Sequence, residues 1–262
     1  MMKNLLILSA AALALTACDS DEAATGGDLP VADAPVEAVA PPEGQQWSDV
    51  VARTEAGGYM MGNPDAPVKL VEYGSMTCGA CAYFSTDGEE QLVEDYIQSG
   101  RVSFEFRNYT RDPIDVTASL LARCGGENRF FPLMNAMFAA QNQWFGDNLP
   151  QIQQVSQQVQ SLPPTEQFKR FAEVSGLKTF AVQRGLPASQ ADACLADEAA
   201  VSELVSMQNV AVSDYGVNKT PTFLVNNVLA EAADANFSNL KPILDRALGE
   251  GGDEAADAET AE

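Results

Sequence analysis

Two cysteines separated by two small residues, Cys78-Gly79-Ala80-Cys81, have the clearest capacity for chemistry in this sequence. They follow a short β-rich run at 68–73 and precede a pattern of helical periodicity, so the pair lies at a strand–loop–helix junction. In that context the C-x-x-C spacing predicts a reversible redox pair. Two alternatives remain open: a purely structural disulfide, and half of a zinc site.

The start of a helix presents unpaired backbone N–H groups and the positive end of the helix dipole, and both stabilise an anion. Cys78 is therefore predicted to be the nucleophilic thiolate. Cys81, one turn along and more buried, is predicted to resolve the mixed disulfide that Cys78 forms. Because Gly79 and Ala80 carry no side-chain donor, we expect the helix terminus and backbone N–H groups to act alone on the Cys78 thiolate.

The elements around this pair indicate an α/β fold with a long helical insertion. The insertion is predicted at about 107–215, between a strand–helix–strand half that carries the cysteines and a later strand and helix. The predicted strands are 68–73, 101–106 and 222–225. One helix is predicted from Cys78 to about Gln98, and a second begins at Asp112-Pro113. A later helix ends at Gly216, and the last helix begins with Ser238 as its cap. The stretch from Trp47 to Gly58 shows no clear period.

Composition excludes several classes of function. The chain has 262 residues, 46% of them hydrophobic, and no histidine. A Ser-His-Asp triad, a Cys-His protease pair and a histidine-ligated zinc site are therefore excluded. The formal net charge of −22 argues against a nucleic-acid partner, because little in the chain could neutralise phosphates. No pattern predicts a metal or other cofactor.

The N-terminus predicts export. Lys3 precedes an apolar run at 5–15, which is too short to span a bilayer but fits a secretory signal. Leu15-Thr16-Ala17-Cys18 then resembles the lipobox of bacterial lipoproteins, in which the cysteine is lipidated; the alternative is an ordinary signal peptide. Asp19 resembles an inner-membrane retention signal. In an extracytoplasmic compartment cysteines can persist as disulfides.

The chain is thus predicted to have four parts. They are a lipoprotein signal peptide (1–17), a disordered acidic linker (18–46), a folded domain (47–249) and a disordered acidic tail (250–262).

Two segments of the folded domain resemble the DsbA-like disulfide oxidoreductases of the thioredoxin superfamily. Residues 62–84 (GNPDAPVKLVEYGSMTCGACAYF) resemble the strand that leads into the C-x-x-C helix, and residues 217–226 (VNKTPTFLVN) resemble the family's second signature. The resemblance covers about 60–250. It implies a thioredoxin-like fold whose helical insertion separates the C-x-x-C half from the strand that follows a cis-proline.

The resemblance also implies roles for three further residues. Pro221 would be the cis-proline facing the cysteines, and the backbone of Thr220 would pair with an extended client peptide; the alternative is a plain turn before a strand. Glu72 matches the family's buried acid, which would relay protons for Cys81. The alternative for Glu72 is a side chain that points outward from the strand.

Two further cysteines, Cys124 and Cys194, lie in apolar helical stretches of the insertion. In an oxidising compartment we expect them to form a structural disulfide, as a second disulfide in some DsbA-like proteins also suggests; the alternative is two free buried thiols. The aromatic residues Phe130, Phe131, Trp144 and Phe145 are expected to be core residues and not a client groove.

The family's strong oxidants carry Pro-His between the cysteines, where this chain has Gly79-Ala80. We therefore expect the pKa of Cys78 to lie well above about 3.5, and the potential below about −120 mV. The resemblance implies a mild disulfide oxidase for exported client proteins, served by a membrane redox partner. The alternatives are an isomerase or reductase, and a non-catalytic lipoprotein that holds peptides.

Overall fold

The computed structural model describes residues 28–230 and 236–250 of the chain. The predicted signal peptide, the predicted lipidation site Cys18 and all but the first residue of the predicted acidic tail lie outside the described residues.

The described residues form one mixed sheet. Its strands are β1 (Val51–Arg53), β2 (Tyr59–Gly62), β3 (Val68–Gly74), β4 (Val102–Asn108), β5 (Thr222–Val225) and β6 (Val228–Ala230). They lie in the order β1-β2-β4-β3-β5-β6. β3 and β4 are parallel and the other neighbouring pairs are antiparallel. The strand predicted at 101–106 continues to Asn108.

One nearly continuous helix connects β3 to β4, as a parallel pair of strands requires. It consists of α1 (Gly79–Tyr83), a π turn at Phe84–Gly88, α2 (Glu89–Leu92) and a second π turn at Val93–Ile97. Its end at Ile97 agrees with the predicted end near Gln98. Each π turn adds a residue to one turn of the helix, which shifts the side chains that follow around the helix axis.

The helical insertion lies between β4 and β5. Its helices are α3 (Pro113–Arg123), α4 (Glu127–Ala139), a π turn at Asn142–Gly146, α5 (Leu149–Val159), α6 (Pro164–Val174), α7 (Leu177–Gln183), α8 (Ala188–Leu195) and α9 (Glu198–Tyr215). Asp112 caps α3, as predicted, by accepting the backbone N–H of Asp115 at 2.9 Å. Gly216 ends α9, also as predicted, with a positive φ of 65°.

Both faces of the sheet are covered, which explains why β3 is buried along almost its whole length. On one face Val71 and Tyr73 pack with Met207 and Ala211 of α9. The other face belongs to the larger core, in which the ring of Phe84 packs against sheet residues. Strands that are covered on both faces are usually apolar along their whole length. Glu72 in the middle of β3 is an exception, because it is an acid and is buried.

The insertion contributes its aromatic side chains to that larger core. Phe130 is 0% exposed and stacks on Tyr59 of β2 with ring centroids 4.0 Å apart. Phe131 and Trp144 are buried as well, and Phe145 is partly buried and packs against the same core, in agreement with the prediction for these rings. The insertion and the sheet therefore share one hydrophobic core.

The chain ends its fold with a hairpin and a helix. β5 and β6 are joined at Asn226 and Asn227, which have positive φ values of 49° and 65°. The last helix is α10 (Phe237–Ala247). The prediction that Ser238 caps it is wrong: Asn236 is the cap, and its side chain accepts the backbone N–H of Ser238 at 3.1 Å. Asn is as good a cap as Ser, and it lies one residue before the first helical residue.

The structure describes residues 28–46, which belong to the segment predicted as an acidic linker, and places part of it against the folded domain. The N–H of Val36 donates to the carbonyl of Leu248 at 3.0 Å, and the N–H of Val39 donates to the carbonyl of Ser99 at 2.8 Å. The carbonyl of Val39 accepts the indole N–H of Trp47 at 2.7 Å. Contacts with the domain therefore begin before the predicted boundary at Trp47.

Candidate active site

The cysteine pair lies where β3 ends and α1 begins. Cys78 is the N-cap of α1, with an extended backbone, and its N–H donates to the carbonyl of Ser75 at 3.1 Å. Both cysteines are unbonded thiols. Cys78 is 7% exposed and Cys81 is 0% exposed, so the residue predicted to be the nucleophile is the one that a client can reach.

The pKa of Cys78 is lowered to about 5. The largest cause is a hydrogen bond from the Cys81 thiol, followed by the burial of the sulfur, which acts in the opposite direction. The Thr220 side chain and the backbone N–H groups of Cys81 and Ala80 lower the pKa further. The expectation that the helix terminus and backbone act alone is therefore wrong, because Cys81 is itself a side-chain donor.

The pKa of Cys81 is shifted in the opposite direction, well above its ordinary value. Burial is the main cause, and the hydrogen bond that Cys81 gives to Cys78 adds to it. The backbone N–H of Ser75 lies 3.5 Å from the Cys81 sulfur and opposes the rise. The two sulfurs thus divide the roles: one is held as a thiolate and the other as a thiol.

The second sequence signature meets the first across the sheet. β5 pairs with β3 in a register that sets Thr222 opposite Tyr73, so the turn before β5 lies beside the loop after β3. The Thr220–Pro221 peptide bond in this turn is cis. The Cys78 thiol donates to the carbonyl oxygen of Thr220 at 3.3 Å. The structure therefore brings Thr220 and Pro221 to the cysteines.

Glu72 lies under the pair on β3 and is 2% exposed, so it does not point outward into solvent. Its pKa is raised well above 4.5, mainly by burial and also by the nearby charges of Glu89 and Cys78. A hydrogen bond with Cys81 acts in the opposite direction. Among the described residues, its Oε1 atom has no hydrogen-bond partner. A neutral carboxyl beside Cys81 can give its proton to the Cys81 thiolate when that thiolate forms, and the resulting carboxylate can take the proton back.

Gly74 leaves room for this acid. A Cβ atom at position 74 would lie 2.4 Å from the Phe106 ring and 2.8 Å from Oε1 of Glu72, both closer than real Cβ contacts. Any side chain at this position would displace the ring or the carboxyl. The glycine just before the active-site loop is thus required by close packing.

A second buried acid, Glu89, was not predicted from the sequence. It is 4% exposed, and burial raises its pKa to about 7. The side-chain amide of Asn135 donates to its Oε1 at 2.6 Å. The sequence carries one indication of this burial. Glu89 lies three residues before Leu92 and seven before Tyr96, so helical periodicity places it on the same face as these buried residues.

Cys124 and Cys194 form a disulfide across the insertion, with Cα atoms 5.8 Å apart. Cys124 follows α3 and Cys194 lies in α8, so the bond joins two helices separated by 70 residues. Closing a loop of that length in the unfolded chain corresponds to about 4 kcal/mol of stabilisation in the loop-entropy model. We assign this bond a structural role.

Neither a metal site nor a membrane span is found in the described part of the chain. No group of three or more acidic or cysteine side chains there is placed to hold a metal ion. No helix among residues 28–230 and 236–250 combines the length and the apolar character needed to cross a bilayer.

A pH titration of the reduced protein should reveal the Cys78 thiolate. The ultraviolet absorbance of thiolate should rise with a midpoint at about pH 5. Because the folded pKa lies below the unfolded value of about 8.5, Cys78 stabilises the reduced fold fully above the unfolded pKa and loses this contribution as pH falls through 5. The absorbance step should be absent from Cys78→Ser. A wild-type midpoint near pH 8.5 would contradict this environment.

Comparisons with known proteins agree with this geometry. The family model described as Thioredoxin matches residues 54–246. A protein of Rickettsia prowazekii named as a protein-disulfide oxidoreductase is 24% identical over 200 residues, which cover 76% of this chain and 64% of that protein. The chain thus spans slightly less than two thirds of the length of this relative.

Two solved structures are similar to about three quarters of the chain. A protein-disulfide isomerase from Novosphingobium aromaticivorans is 31% identical, with a TM-score of 0.69, and the match covers 73% of this chain and 97% of the other. Wolbachia pipientis alpha-DsbA1 is 20% identical with a TM-score of 0.60, covering 74% and 92% of the two chains, and shows the same fold. The thioredoxin-like fold with its helical insertion is therefore confirmed, and this chain belongs to the thioredoxin family.

Proposed function

We propose that this protein is an extracytoplasmic thiol–disulfide oxidoreductase that acts as a mild oxidase of exported proteins through Cys78 and Cys81. The observation that carries the proposal is the arrangement of the two sulfurs, with the pKa of Cys78 lowered to about 5 beside a buried Cys81 whose pKa is raised. A low pKa stabilises the reduced form of the pair and makes Cys78 a good leaving group, and both properties favour donation of a disulfide to a client.

The reaction follows from this geometry. A client thiolate attacks the Cys78 sulfur of the oxidised pair, the Cys78–Cys81 bond breaks, and Cys81 leaves as a thiolate that takes a proton from Glu72. A second client thiolate then attacks the client sulfur of the mixed disulfide. The client gains a disulfide, Cys78 leaves as a stable thiolate, and the pair carries away two electrons.

The backbone beside the cis-proline is the proposed client-binding element. Thr220 precedes β5 without belonging to it, and its carbonyl lies 3.3 Å from the Cys78 sulfur. We propose that an extended client peptide pairs with the Thr220 backbone, which would hold the client sulfur beside Cys78. Pro221 in the cis form sets the direction of this backbone.

The predicted export signal supports the cellular setting of this proposal. A lipid on Cys18 would tether the domain to the membrane, and Asp19 favours retention at the inner membrane. A membrane redox partner would reoxidise the reduced pair by disulfide exchange, which returns two electrons to that partner. Exported proteins with cysteines would be the clients.

The reduction potential tests the direction of electron flow. We expect equilibration with glutathione to give a value between about −230 mV and −120 mV, because Cys78 is stabilised without an imidazolium. Ala80 is exposed, so Ala80→His would add a cation at the surface beside Cys78 and should move the potential towards −120 mV. A wild-type value near −270 mV, as in thioredoxin, would reject the oxidase and favour a reductase.

An isomerase is the second candidate, because the Novosphingobium structure carries that name and matches the whole fold. Isomerisation begins when the Cys78 thiolate attacks a wrong client disulfide, which a pKa of about 5 permits at neutral pH. Refolding of a client with scrambled disulfides separates the roles. An isomerase accelerates that reaction while reduced, whereas an oxidase accelerates only the oxidation of a reduced client.

A further inference from the structure

The loop from Ser75 to Cys78 makes backbone contacts with both sulfur-bearing residues. The N–H of Ser75 points at the Cys81 sulfur at 3.5 Å, and its carbonyl accepts the N–H of Cys78 at 3.1 Å. Met76 is 0% exposed, although β3 has already ended and supplies no ladder partners here. Buried backbone groups must be paired, so the loop needs hydrogen bonds from outside the sheet.

Asp115 supplies part of this pairing from the start of α3. Its side chain is fully buried; Oδ2 accepts the Ser75 hydroxyl at 2.6 Å and Oδ1 accepts the Met76 N–H at 2.8 Å. An acid at the third position of a helix usually bonds back to the N-cap N–H. Asp115 instead reaches the N–H of Arg111 at 3.0 Å and the active-site loop.

Arg111 lies beside Asp115 and adds two contacts of its own to the loop. Its Nε atom donates to the Ser75 hydroxyl at 2.9 Å, and Nη2 donates to the Thr77 hydroxyl at 2.8 Å. Its Nε lies 3.9 Å from Oδ2 of Asp115. Burial raises the pKa of Asp115 to about 7, and its hydrogen bonds with Ser75 and with the Arg111 N–H act in the opposite direction.

Gln141 holds the opposite side of the same loop. It lies between α4 and the π turn at Asn142–Gly146 and is 9% exposed. Its side-chain amide nitrogen donates to the carbonyl of Met76 at 2.9 Å and to the carbonyl of Cys78 at 3.0 Å. Both backbone groups of Met76 are therefore satisfied by side chains of the helical insertion, one by Asp115 and one by Gln141.

We propose that Asp115 and Gln141 are positioning residues through which the helical insertion keeps the Ser75 N–H directed at the Cys81 sulfur. This inference rests on the proposed function and deepens it by giving the insertion a part in the redox step. Neither residue touches the reacting sulfurs with its side chain, so each acts through the loop. The step that depends on them is the one in which Cys81 carries negative charge.

That step is the attack of Cys81 on the mixed disulfide, or its reverse. In the mixed disulfide Cys81 gives its proton to the Glu72 carboxylate, and the resulting thiolate attacks the Cys78 sulfur. The Cys78–Cys81 bond forms, the bond from Cys78 to the client breaks, and the client leaves as a thiolate with the electron pair. A backbone N–H aimed at Cys81 stabilises its thiolate in this step, whereas the first attack by Cys78 does not use it.

Stopped-flow reaction of the reduced full chain with glutathione disulfide separates the two steps. In Asp115→Asn and in Gln141→Met we expect resolution of the glutathione mixed disulfide by Cys81 to slow by about tenfold to a hundredfold. The first attack by Cys78 should change by less than about threefold, since the Ser75 N–H plays no part in it. In NMR spectra of the reduced variants, the Ser75 amide proton should shift upfield because its hydrogen bond to sulfur lengthens.

Two variants provide matched controls. Asp112→Asn removes one negative charge from the same helix start and keeps a good N-cap, and Gln143→Met repeats the second change at an exposed position nearby. Both should keep the wild-type resolution rate and Ser75 resonance. Equal slowing of both steps, or an unchanged Ser75 resonance, would overturn the proposal. The wild type could fail to exchange with glutathione disulfide while the Ser75 resonance still shifts in the two variants. That result would reject the proposed function and support the positioning inference.

Discussion

Cys78→Ser should abolish disulfide transfer to a reduced client, with a loss on the order of a thousandfold or more. The serine hydroxyl does not ionise near neutral pH, so it can neither attack a disulfide nor leave from one. The environment that lowers the pKa of Cys78 to about 5 acts on a thiol and gives no comparable help to an alcohol. The measurement is the rate at which a reduced, unfolded client regains its disulfides with glutathione disulfide as the terminal oxidant.

The second disulfide provides the matched control for this prediction. A Cys124→Ser, Cys194→Ser double variant also removes two sulfurs, but from the helical insertion, and should keep the transfer rate while it loses thermal stability. Cys81→Ser should instead accumulate covalent complexes between Cys78 and its clients, because the resolving thiol is gone. Full activity in Cys78→Ser would place the chemistry elsewhere in the chain.

Local sequence patterns predict the central elements of the fold but not its edges. β3 and β5 are apolar runs bounded by turn residues, and they lie at the predicted positions. β1 and β6 have three residues each and β2 has four, which is too short for an alternating pattern to be recognised. β2 pairs with β4, which lies about 40 residues further along the chain, whereas β1 and β6 pair with their neighbours β2 and β5. A partner strand that is distant in sequence is a tertiary feature.

The active site divides in the same way. The positions of Cys78 and Pro221 follow from short motifs, because a C-x-x-C pair and a Thr-Pro before a strand are local signals. The residues that hold the loop, Asp115 and Gln141, do not follow from a motif, since their partners are backbone groups of a loop about 40 to 65 residues away. The main stabiliser of the Cys78 thiolate is Cys81, which belongs to the motif itself. The C-x-x-C spacing alone does not indicate this hydrogen bond.

Glu72→Gln should make the protein more stable and less active. Burial raises the pKa of Glu72 well above 4.5, so the fold penalises its ionised form, and a neutral amide does not carry that penalty. The same carboxyl is the proposed proton donor and acceptor for Cys81, and an amide cannot replace it in that role. We expect thiol–disulfide exchange through Cys81 to slow by about a hundredfold, the lower end of the range for general acid–base catalysis.

The pH dependence distinguishes this mechanism from a general packing effect. Burial raises the pKa of Glu72 well above 4.5, so the wild-type fold has its full contribution from this group below pH 4.5 and loses it as pH rises through the folded pKa. The stability advantage of Glu72→Gln should therefore grow with pH above about 4.5. Denaturant unfolding of the oxidised protein measures it, because the disulfide removes the titrations of Cys78 and Cys81.

Glu90, an exposed acid on α2, provides the control for this substitution. Glu90→Gln changes the same chemical group at an exposed position on α2 and should leave both stability and exchange rate close to wild type. If Glu72→Gln behaves like Glu90→Gln in its exchange rate, Glu72 is not the proton relay for Cys81. If its stability advantage stays constant with pH above 4.5, the pKa of Glu72 is the same in the folded and unfolded states, and burial does not raise it. If Glu72→Gln is less stable than the wild type at high pH, the Glu72 carboxylate has favourable partners in the fold, which contradicts its burial without them.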